Sequence, residues 1–232
     1  MNNERIFSDL SDFMRFLAKE NKDGARLPSL SVLSQQLGVS VASLREQLEV
    51  ARTFGLIEVR PKTGMRRLPY TFKPAVIRSL SYATATDPAY FFFAFSDLRN
   101  HIEASYWDQA VESLTFDDHQ LLKSLVSQAK EKLQGEPIQI PHFEHRELHL
   151  SIYRKLDNPF VLGLLEAYWE AYEAVGLNWY ADISYLIHVW DYHQKMVDAI
   201  LAGDTGRGYA ALVEHTDLLF ERSKTIPHLK FE

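Results

Sequence analysis

Apolar residues recur at helical spacing through the first part of the chain. A first amphipathic helix is predicted from the stripe formed by Ile6, Leu10, Phe13, Met14 and Leu17, and turn residues follow it from Asn21. Ser29 is placed to cap a second helix over residues 30–37, which Gly38 ends. Ser40 is placed to cap a third helix that Gly55 ends and whose inner stripe is Leu44, Leu48, Ala51 and Phe54.

After this third helix the period changes from helical to alternating. Residues 56–60 alternate like a strand, residues 61–64 contain the turn residues Pro61 and Gly64, and residues 65–68 form a second short strand. Two short helices joined by a tight glycine turn and followed by a hairpin predict a winged helix-turn-helix over residues 1–70.

Beyond residue 70 the pattern is first irregular and then helical throughout. Pro69, Pro74, Pro88 and a Ser/Thr/Ala-rich stretch predict an irregular linker over residues 71–88. Six helices are then predicted, at 89–114, 117–133, 141–156, 159–180, 184–201 and 205–224. The expected fold is therefore mainly α, with the winged helix followed by an antiparallel all-α bundle over residues 89–232.

Charge is distributed unevenly between these two parts. The 232 residues carry a net charge of −6, yet 11 basic and 8 acidic residues precede Phe72, against 14 and 23 from there on. A locally basic module on an acidic body is the pattern of duplex recognition confined to one end. The chain has no cysteine, which excludes disulfides and thiolate ligands. Without an apolar leader or a membrane-length apolar run, we expect a cytoplasmic protein with no membrane partner.

Basic residues of the winged helix are candidate contacts to operator DNA. The recognition helix begins at Ser40, and Arg45 lies one turn further, where an arginine can contact guanine in the major groove. Arg52 lies about two turns beyond Arg45 and suits a backbone or intramolecular contact. The wing supplies candidate phosphate or minor-groove contacts at Arg60, Lys62, Gly64, Arg66 and Arg67.

These residues carry a family resemblance. Leu27-Pro28-Ser29, Leu37-Gly38-Val39-Ser40, Leu44-Arg45-Glu46 and the run from Gly55 to Pro61 with Gly64 resemble the winged helix of GntR-family bacterial transcription regulators. Leu30 and Val41 depart from the acidic residue and the arginine common in that family. The departures leave the operator sequence open, whereas the resemblance implies DNA binding.

Four of the nine histidines have spacings that can bring them together. His145 and His149 are four residues apart on one predicted helix, so both project from one face. His193 and His215 flank the turn near Gly203 at roughly 12 and 15 Å along their helices, and antiparallel packing would bring them level. Converging imidazoles suit zinc, nickel or another borderline divalent cation. Spacing alone leaves open whether the four meet or are unrelated. No special role is expected for His101, His119, His142, His188 and His228.

The acidic part of the chain carries a second resemblance. The Arg99-Asn100-His101-Ile102-Glu103 stretch, the His149 segment ending at Asn158-Pro159, and the run from Tyr192 to Ile200 resemble the FCD effector domain of the FadR subfamily, in its six-helix VanR-like branch. The resemblance implies a divalent metal with His149, His193 and His215 at the three histidine positions and His145 at the usual aspartate position. It also implies a small organic acid as effector, with Arg99 at the position that pairs with its carboxylate.

A site of neutral ligands leaves the charge of a cation uncompensated and favours an anionic ligand. A helix salt bridge between Arg99 and Glu103 is an equally good interpretation of Arg99 from the residues alone. Aromatic side chains that can pack the core or line a cavity are supplied by Trp107, Tyr168, Trp169, Tyr172, Trp179, Tyr180, Tyr185 and Trp190.

The function expected from these observations is a ligand-responsive transcription regulator, acting as a repressor and binding a pseudo-palindromic operator as a homodimer. It is not expected to be an enzyme. Two alternatives remain open at this point: a metal-dependent enzyme acting on a small carboxylate, and a sensor for which the metal itself is the signal.

Overall fold

The computed structural model describes residues 9–19, 23–175 and 182–225, with side chains up to residue 218. The described elements are α1 Asp12–Lys19, α2 Leu30–Leu37, α3 Val41–Thr53, β1 Ile57–Arg60, β2 Gly64–Arg67, α4 Lys73–Thr86, α5 Pro88–Glu112, α6 Phe116–Gln134, α7 His142–Tyr153, α8 Pro159–Ala174, α9 Ile183–Leu201 and α10 Thr205–Thr225. The fold is mainly α, as predicted. The chain divides into two compact units between Arg78 and Ser79, inside α4.

The first unit is a winged helix-turn-helix built on local capping. The Ser29 side chain accepts from the backbone of Val32, and the Ser40 side chain accepts from Ser43, so both predicted N-caps are confirmed. Gly38 ends α2 with a φ of 67°, which favours glycine. The core of this unit consists of Phe13, Leu17, Leu27, Leu33, Leu44, Leu48, Ala51, Ile57 and Met65.

Two details of this unit differ from the prediction. Phe54 was predicted to continue the inner stripe of α3, but it is the residue after the helix and is exposed. The segment before α2 also pairs with the wing, since Leu27 N donates to Met65 O and Arg67 N donates to Ala25 O. The antiparallel β1–β2 hairpin therefore has a third short backbone partner. Ile6 and Asn21 lie outside the described residues.

The predicted irregular linker is wrong over most of its length, because α4 occupies residues 73–86. Pro74 is the second residue of the helix, where the missing N–H costs little. Only Leu80 and Thr84 of this helix are buried, so no strong apolar stripe signals it in the sequence.

The second unit packs the six predicted bundle helices around a large aromatic and aliphatic core. Helix α5 packs against α7, α8 and α10, and α9 packs against α6 and α10. The Trp107 indole donates to Thr205 O at 3.0 Å and so fixes the C-terminal part of α5 to the start of α10. Gly203, with a φ of 71°, allows the tight turn between α9 and α10.

Residues 176–181, at the predicted end of the fourth bundle helix, lie outside the described part, and with them Trp179 and Tyr180. None of the described helices has the length and apolarity needed to cross a bilayer.

Candidate metal centre and nucleic-acid interface

Four histidines from three helices meet in the interior of the bundle. His145 and His149 come from α7, His193 from α9 and His215 from α10. A ring nitrogen from each lies within 4.8 Å of one from every other member. His149 and His193 are fully buried, His215 is buried, and His145 is partly buried. The four predicted ligand residues are therefore brought together.

The donor atoms of this cluster fit a metal ion. Nε2 of His149 lies 3.1 Å from Nε2 of His193, close to the roughly 3.3 Å that separates two ligands of a tetrahedral zinc ion at 2.0–2.1 Å. Nε2 of His145 and Nδ1 of His215 are also buried without a hydrogen-bond partner. Since buried polar atoms are normally paired, these nitrogens fit a missing polar partner.

Burial keeps the four imidazoles neutral. It is the largest cause that lowers the pKa of each of the four well below the ordinary value, and neighbouring histidines or Arg99 lower it further. Neutral imidazole is the form that coordinates a metal. The predicted aspartate position holds His145, so the cluster itself contributes no negative charge.

A buried ion pair lies directly beside the histidines. Arg99 and Glu103 are one turn apart on α5, and Nε of Arg99 lies 2.9 Å from Oε1 of Glu103. Burial is the largest single effect on Arg99 and lowers the pKa of its guanidinium, but Glu103, Tyr168 and Tyr153 together raise that pKa above the ordinary value. Burial raises the pKa of Glu103, against the effect of Arg99. The Arg99–Glu103 pairing anticipated from the sequence is thus present.

His149 connects this ion pair to the cluster. Its Nδ1 lies 2.8 Å from Nη2 of Arg99 and 3.1 Å from Oε2 of Glu103. Sequence reasoning did not predict that Glu103 contacts His149, because the contact joins two helices and has no signal in local spacing. Such a carboxylate behind an imidazole orients the ring and strengthens its other nitrogen as a ligand.

A small cavity opens beside the cluster. Its volume is about 20 Å³, and its lining includes Arg99, His145, Tyr168, Trp169, Tyr172, Tyr185 and His215. The guanidinium of Arg99 lies 5.0 Å from the ring centre of Tyr168 and 5.3 Å from that of Trp169. Cation–π contacts of this kind hold a guanidinium in place. Tyr168, Trp169 and Tyr172 both line the cavity and belong to the core. Trp107 and Trp190 belong to the core but do not line the cavity.

The remaining histidines lie apart from this site. His101 is exposed on α5 beside Asp97. His142 is partly buried, and burial is the main cause that lowers its pKa. His119 and His188 are not members of the cluster. His228 lies outside the described residues.

The predicted DNA contacts lie on one unit. Arg45 is exposed one turn into α3, behind the Ser40 cap. Arg52 is bound to Glu49 at 2.8 Å, which agrees with its expected intramolecular contact.

The wing presents its basic residues around a tight turn. Lys62 and Gly64 have φ values of 67° and 83°. Arg66 is exposed on β2, and Arg60 pairs with Glu58 at 2.9 Å. Arg26, which sequence reasoning did not single out, forms a backbone bridge with Arg66 and extends this basic surface.

Comparison with known proteins agrees with both parts of the fold. The FCD domain family model matches residues 95–218. The chain is 26% identical over 231 residues to a protein of Escherichia coli (strain K12) named for regulation of an L-lactate dehydrogenase operon, covering 95% of this chain and 87% of that protein. A protein of the same name from Shigella flexneri matches to the same extent. The solved structure of a Streptococcus agalactiae GntR protein superposes with a TM-score of 0.64 at 20% identity, covering 95% of this chain and 97% of the other.

The FCD match and the regulatory relatives, together with the winged helix-turn-helix and the α-helical bundle, place the chain in the class of transcription regulators. The chain belongs to the FCD-domain family. Its curated relatives are named as operon regulatory proteins rather than enzymes, and it shares its fold with the Streptococcus agalactiae GntR protein.

Proposed function

We propose that this protein is a repressor that binds operator DNA as a homodimer and responds to a small organic acid bound beside a divalent metal ion in its helical bundle. The observation that carries the sensing half is the convergence of His145, His149, His193 and His215, with unpartnered buried nitrogens, next to a cavity that Arg99 lines. We infer a homodimer because one winged helix contacts only a few base pairs, and a two-fold dimer contacts twice as many.

The donor set supports zinc, with nickel as the main alternative. All four candidate ligands are imidazoles, which suit borderline divalent cations, and no oxygen ligand belongs to the cluster. When bound, such an ion supplies a concentrated positive charge that attracts a carboxylate to an open coordination position.

Charge balance supports an anion as the effector. The imidazoles are neutral and Arg99 is offset by Glu103, so a divalent cation would leave the buried site with an excess of positive charge. Arg99 offers a planar guanidinium to a carboxylate that enters from the cavity. The cavity volume of about 20 Å³ limits the anion to a very small one unless side chains move. Since a relative is named for an L-lactate dehydrogenase operon, acetate and L-lactate are suitable first probes.

Metal analysis tests the sensing half. We expect about one equivalent of divalent metal on the purified chain and its loss in the variants His193→Ala and His215→Ala. His101→Ala is the matched control, because His101 is exposed and outside the cluster. Elemental analysis that finds equal metal in all four proteins would contradict the proposed site.

DNA binding tests the other half. With a duplex that the protein selects from a random library, Arg45→Ala should weaken sequence-specific binding by about 1–3 kcal/mol. Arg52→Ala is the control, since Arg52 already pairs with Glu49. Lys62→Ala should reduce the salt dependence of binding with little effect on sequence preference. Equal affinity of the Arg45 and Arg52 variants would contradict this assignment.

A metal sensor is the second candidate, and the small cavity favours it. The two functions differ in one measurement. If operator affinity follows zinc or nickel occupancy and ignores acetate and L-lactate, the metal is the signal. If operator affinity changes with the organic anion at constant metal occupancy, the anion is the signal.

A further inference from the structure

Building on the proposed function, we propose that Arg99 and Glu103 compete for Nδ1 of His149, so that an anion bound to Arg99 selects the His149 tautomer whose Nε2 can bind a metal ion. The inference assigns Glu103 as a positioning residue and makes anion and metal binding mutually supportive.

The competition follows from the chemistry of the two contacts. Nδ1 of His149 lies 2.8 Å from Nη2 of Arg99 and 3.1 Å from Oε2 of Glu103. A guanidinium only donates hydrogen bonds and an ionised carboxylate only accepts them. In a neutral imidazole, Nδ1 carries either a proton or a lone pair. It therefore satisfies one of these partners at a time.

Each choice fixes the other ring nitrogen. When Nδ1 accepts from Arg99, the proton is on Nε2, which can donate to Nε2 of His193 at 3.1 Å. In that tautomer His149 has no lone pair to offer a cation. When Nδ1 donates to Glu103, the lone pair is on Nε2, which faces the other histidines. The two tautomers differ only in which nitrogen holds the proton, so the total number of protons is unchanged.

His149 stays neutral in either arrangement. Its ring is fully buried and its Nδ1 lies 2.8 Å from Nη2 of the Arg99 guanidinium, so a second positive charge on the ring is opposed. An imidazolium would also place an N–H against the guanidinium, which has no lone pair to accept it.

Arg99 is the partner that an anion can draw away. It lines the cavity, whereas Glu103 is fully buried and is not part of the cavity lining. Nε of Arg99 and Oε1 of Glu103 are 2.9 Å apart, yet neither atom has an aligned hydrogen-bond partner. A carboxylate arriving from the cavity can form better-aligned hydrogen bonds with the guanidinium. Once Arg99 turns to that carboxylate, Glu103 is the remaining partner for Nδ1 of His149.

The consequence is a coupling between two ligands that need not touch each other. An anion on Arg99 raises metal affinity through His149, and linkage requires that the metal raises anion affinity by the same factor. If Glu103 only held the His149 ring in place, adding an anion would not change the tautomer of that ring.

Nitrogen NMR of the metal-free full chain tests this directly. With ¹⁵N-labelled histidine, we expect His149, assigned by comparison with His149→Gln, to carry its proton on Nε2 without added anion. Acetate should shift the ratio of tautomers toward Nδ1–H by at least about tenfold. In a second sample with ¹⁵N-labelled tryptophan, the indole signal of Trp169, a residue that lines the cavity, reports separately whether acetate binds.

Two variants and a control sharpen the test. Arg99→Met should hold the proton on Nδ1 with or without acetate, because Glu103 then has no competitor. Glu103→Gln should lose the acetate response, since an amide can donate to Nδ1 as well as accept from it. Asn100→Ala should keep the response, because Asn100 contacts Nη1 of Arg99 and not His149. If Arg99→Met does not fold, Glu103→Gln and the wild-type titration still decide the matter.

The outcomes separate this inference from the proposed function. Acetate that shifts the Trp169 signal but leaves the His149 tautomer unchanged overturns the coupling and leaves the anion site standing. Acetate that shifts neither signal overturns the anion site, and the coupling with it.

Discussion

His145 determines the charge of the proposed metal centre. It stands where the family resemblance implies an aspartate, and it contacts His193 and Trp169 at ring-centre distances of 4.8 and 4.7 Å. A carboxylate at this position would add a negative charge to a buried cluster of neutral rings. The identity of residue 145 thus sets how strongly the site favours an anion over a bare cation.

Replacing this ring by a carboxylate tests the effect of charge. We expect His145→Asp to tighten zinc binding by at least about tenfold, because the added negative charge lies close to the cation in a low-dielectric site. The same change should weaken acetate binding to the zinc-loaded protein, since less positive charge is left uncompensated. Zinc competition with a chromophoric chelator and acetate titration by calorimetry measure the two effects. His145→Asn removes the imidazole without adding charge, so equal results for the two variants would contradict an electrostatic cause.

The individual residues of the site were predictable to different degrees. His145 and His149 share one helix face by spacing, and the Gly203 turn brings His193 and His215 level, so the closeness within each pair is a local consequence of helix geometry. Spacing does not determine whether the two pairs meet, and the contact of Glu103 with His149 has no local signal either. It depends on how α5 packs against α7, and one sequence holds no periodic signal for that packing.

Helix α10 depends on a glycine that lets it approach α5 closely. A Cβ on Gly208 would lie 2.7 Å from Cζ2 of the fully buried Trp107, whose indole also bonds Thr205 O. We expect Gly208→Ala to lower the free energy of unfolding by about 1–3 kcal/mol through overpacking. Gly206→Ala, two residues away on the same helix, meets nothing closer than 3.9 Å and should be neutral or stabilising by up to about 1 kcal/mol. Urea unfolding measures both, and equal effects would show that close packing at Gly208 is unimportant.

The start of α6 provides a pH-dependent contribution to stability. Asp118 accepts from the Thr115 backbone at 2.7 Å and from the side chains of Thr115 and Lys155. The hydrogen bond from Lys155 is the main cause that lowers the pKa of this carboxyl, followed by those from Thr115. A carboxyl with a lowered pKa stabilises the folded state above its unfolded pKa of about 3.9 and loses that contribution as the pH falls.

Replacing this carboxylate tests the sign of that dependence. Asp118→Asn should lower the free energy of unfolding by about 1 kcal/mol at pH 7, and the difference from wild type should shrink below about pH 4. Asp117→Asn is the control, because Asp117 lies in the same first turn of α6. A difference for Asp118→Asn that stays constant from pH 7 to pH 3 would contradict the assignment. Urea unfolding across this pH range gives the measurement.

Elements with strong local signals were predicted closely, and the one without such signals was missed. Ser29, Gly38 and Ser40 define α2 and α3 through caps that depend on a few neighbouring residues. Helix α4 lacks both an apolar stripe and a capping signature, and its Pro74 looks like a helix breaker unless its position in the first turn is known. Phe54 fits the inner stripe by spacing, but α3 ends one residue before it.

At the scale of the whole molecule, metal binding should contribute to stability. A ligand that binds only the folded state adds about 2.7 kcal/mol when its concentration is 100 times its dissociation constant. For a chain of this size we expect chelation to lower Tm by about 5–10 °C and to weaken acetate binding. Elemental analysis confirms metal loss, and calorimetry gives Tm. The double variant His193→Ala/His215→Ala should not respond to the chelator, and unchanged melting of wild type after complete metal loss would refute the structural role of the metal.

Regulation requires that anion binding to the helical bundle and operator binding to the winged helix are energetically coupled. This coupling is reciprocal. If L-lactate or acetate lowers the affinity for a selected duplex by some factor, the duplex must lower the affinity for that anion by the same factor. Anisotropy titrations of labelled duplex with and without anion give the first factor, and calorimetric anion titrations with and without duplex give the second. Arg99→Met should abolish both, whereas Arg45→Ala should weaken duplex binding and leave anion affinity of the free protein unchanged. A duplex affinity that responds to anion equally in wild type and Arg99→Met would place the response outside the bundle cavity.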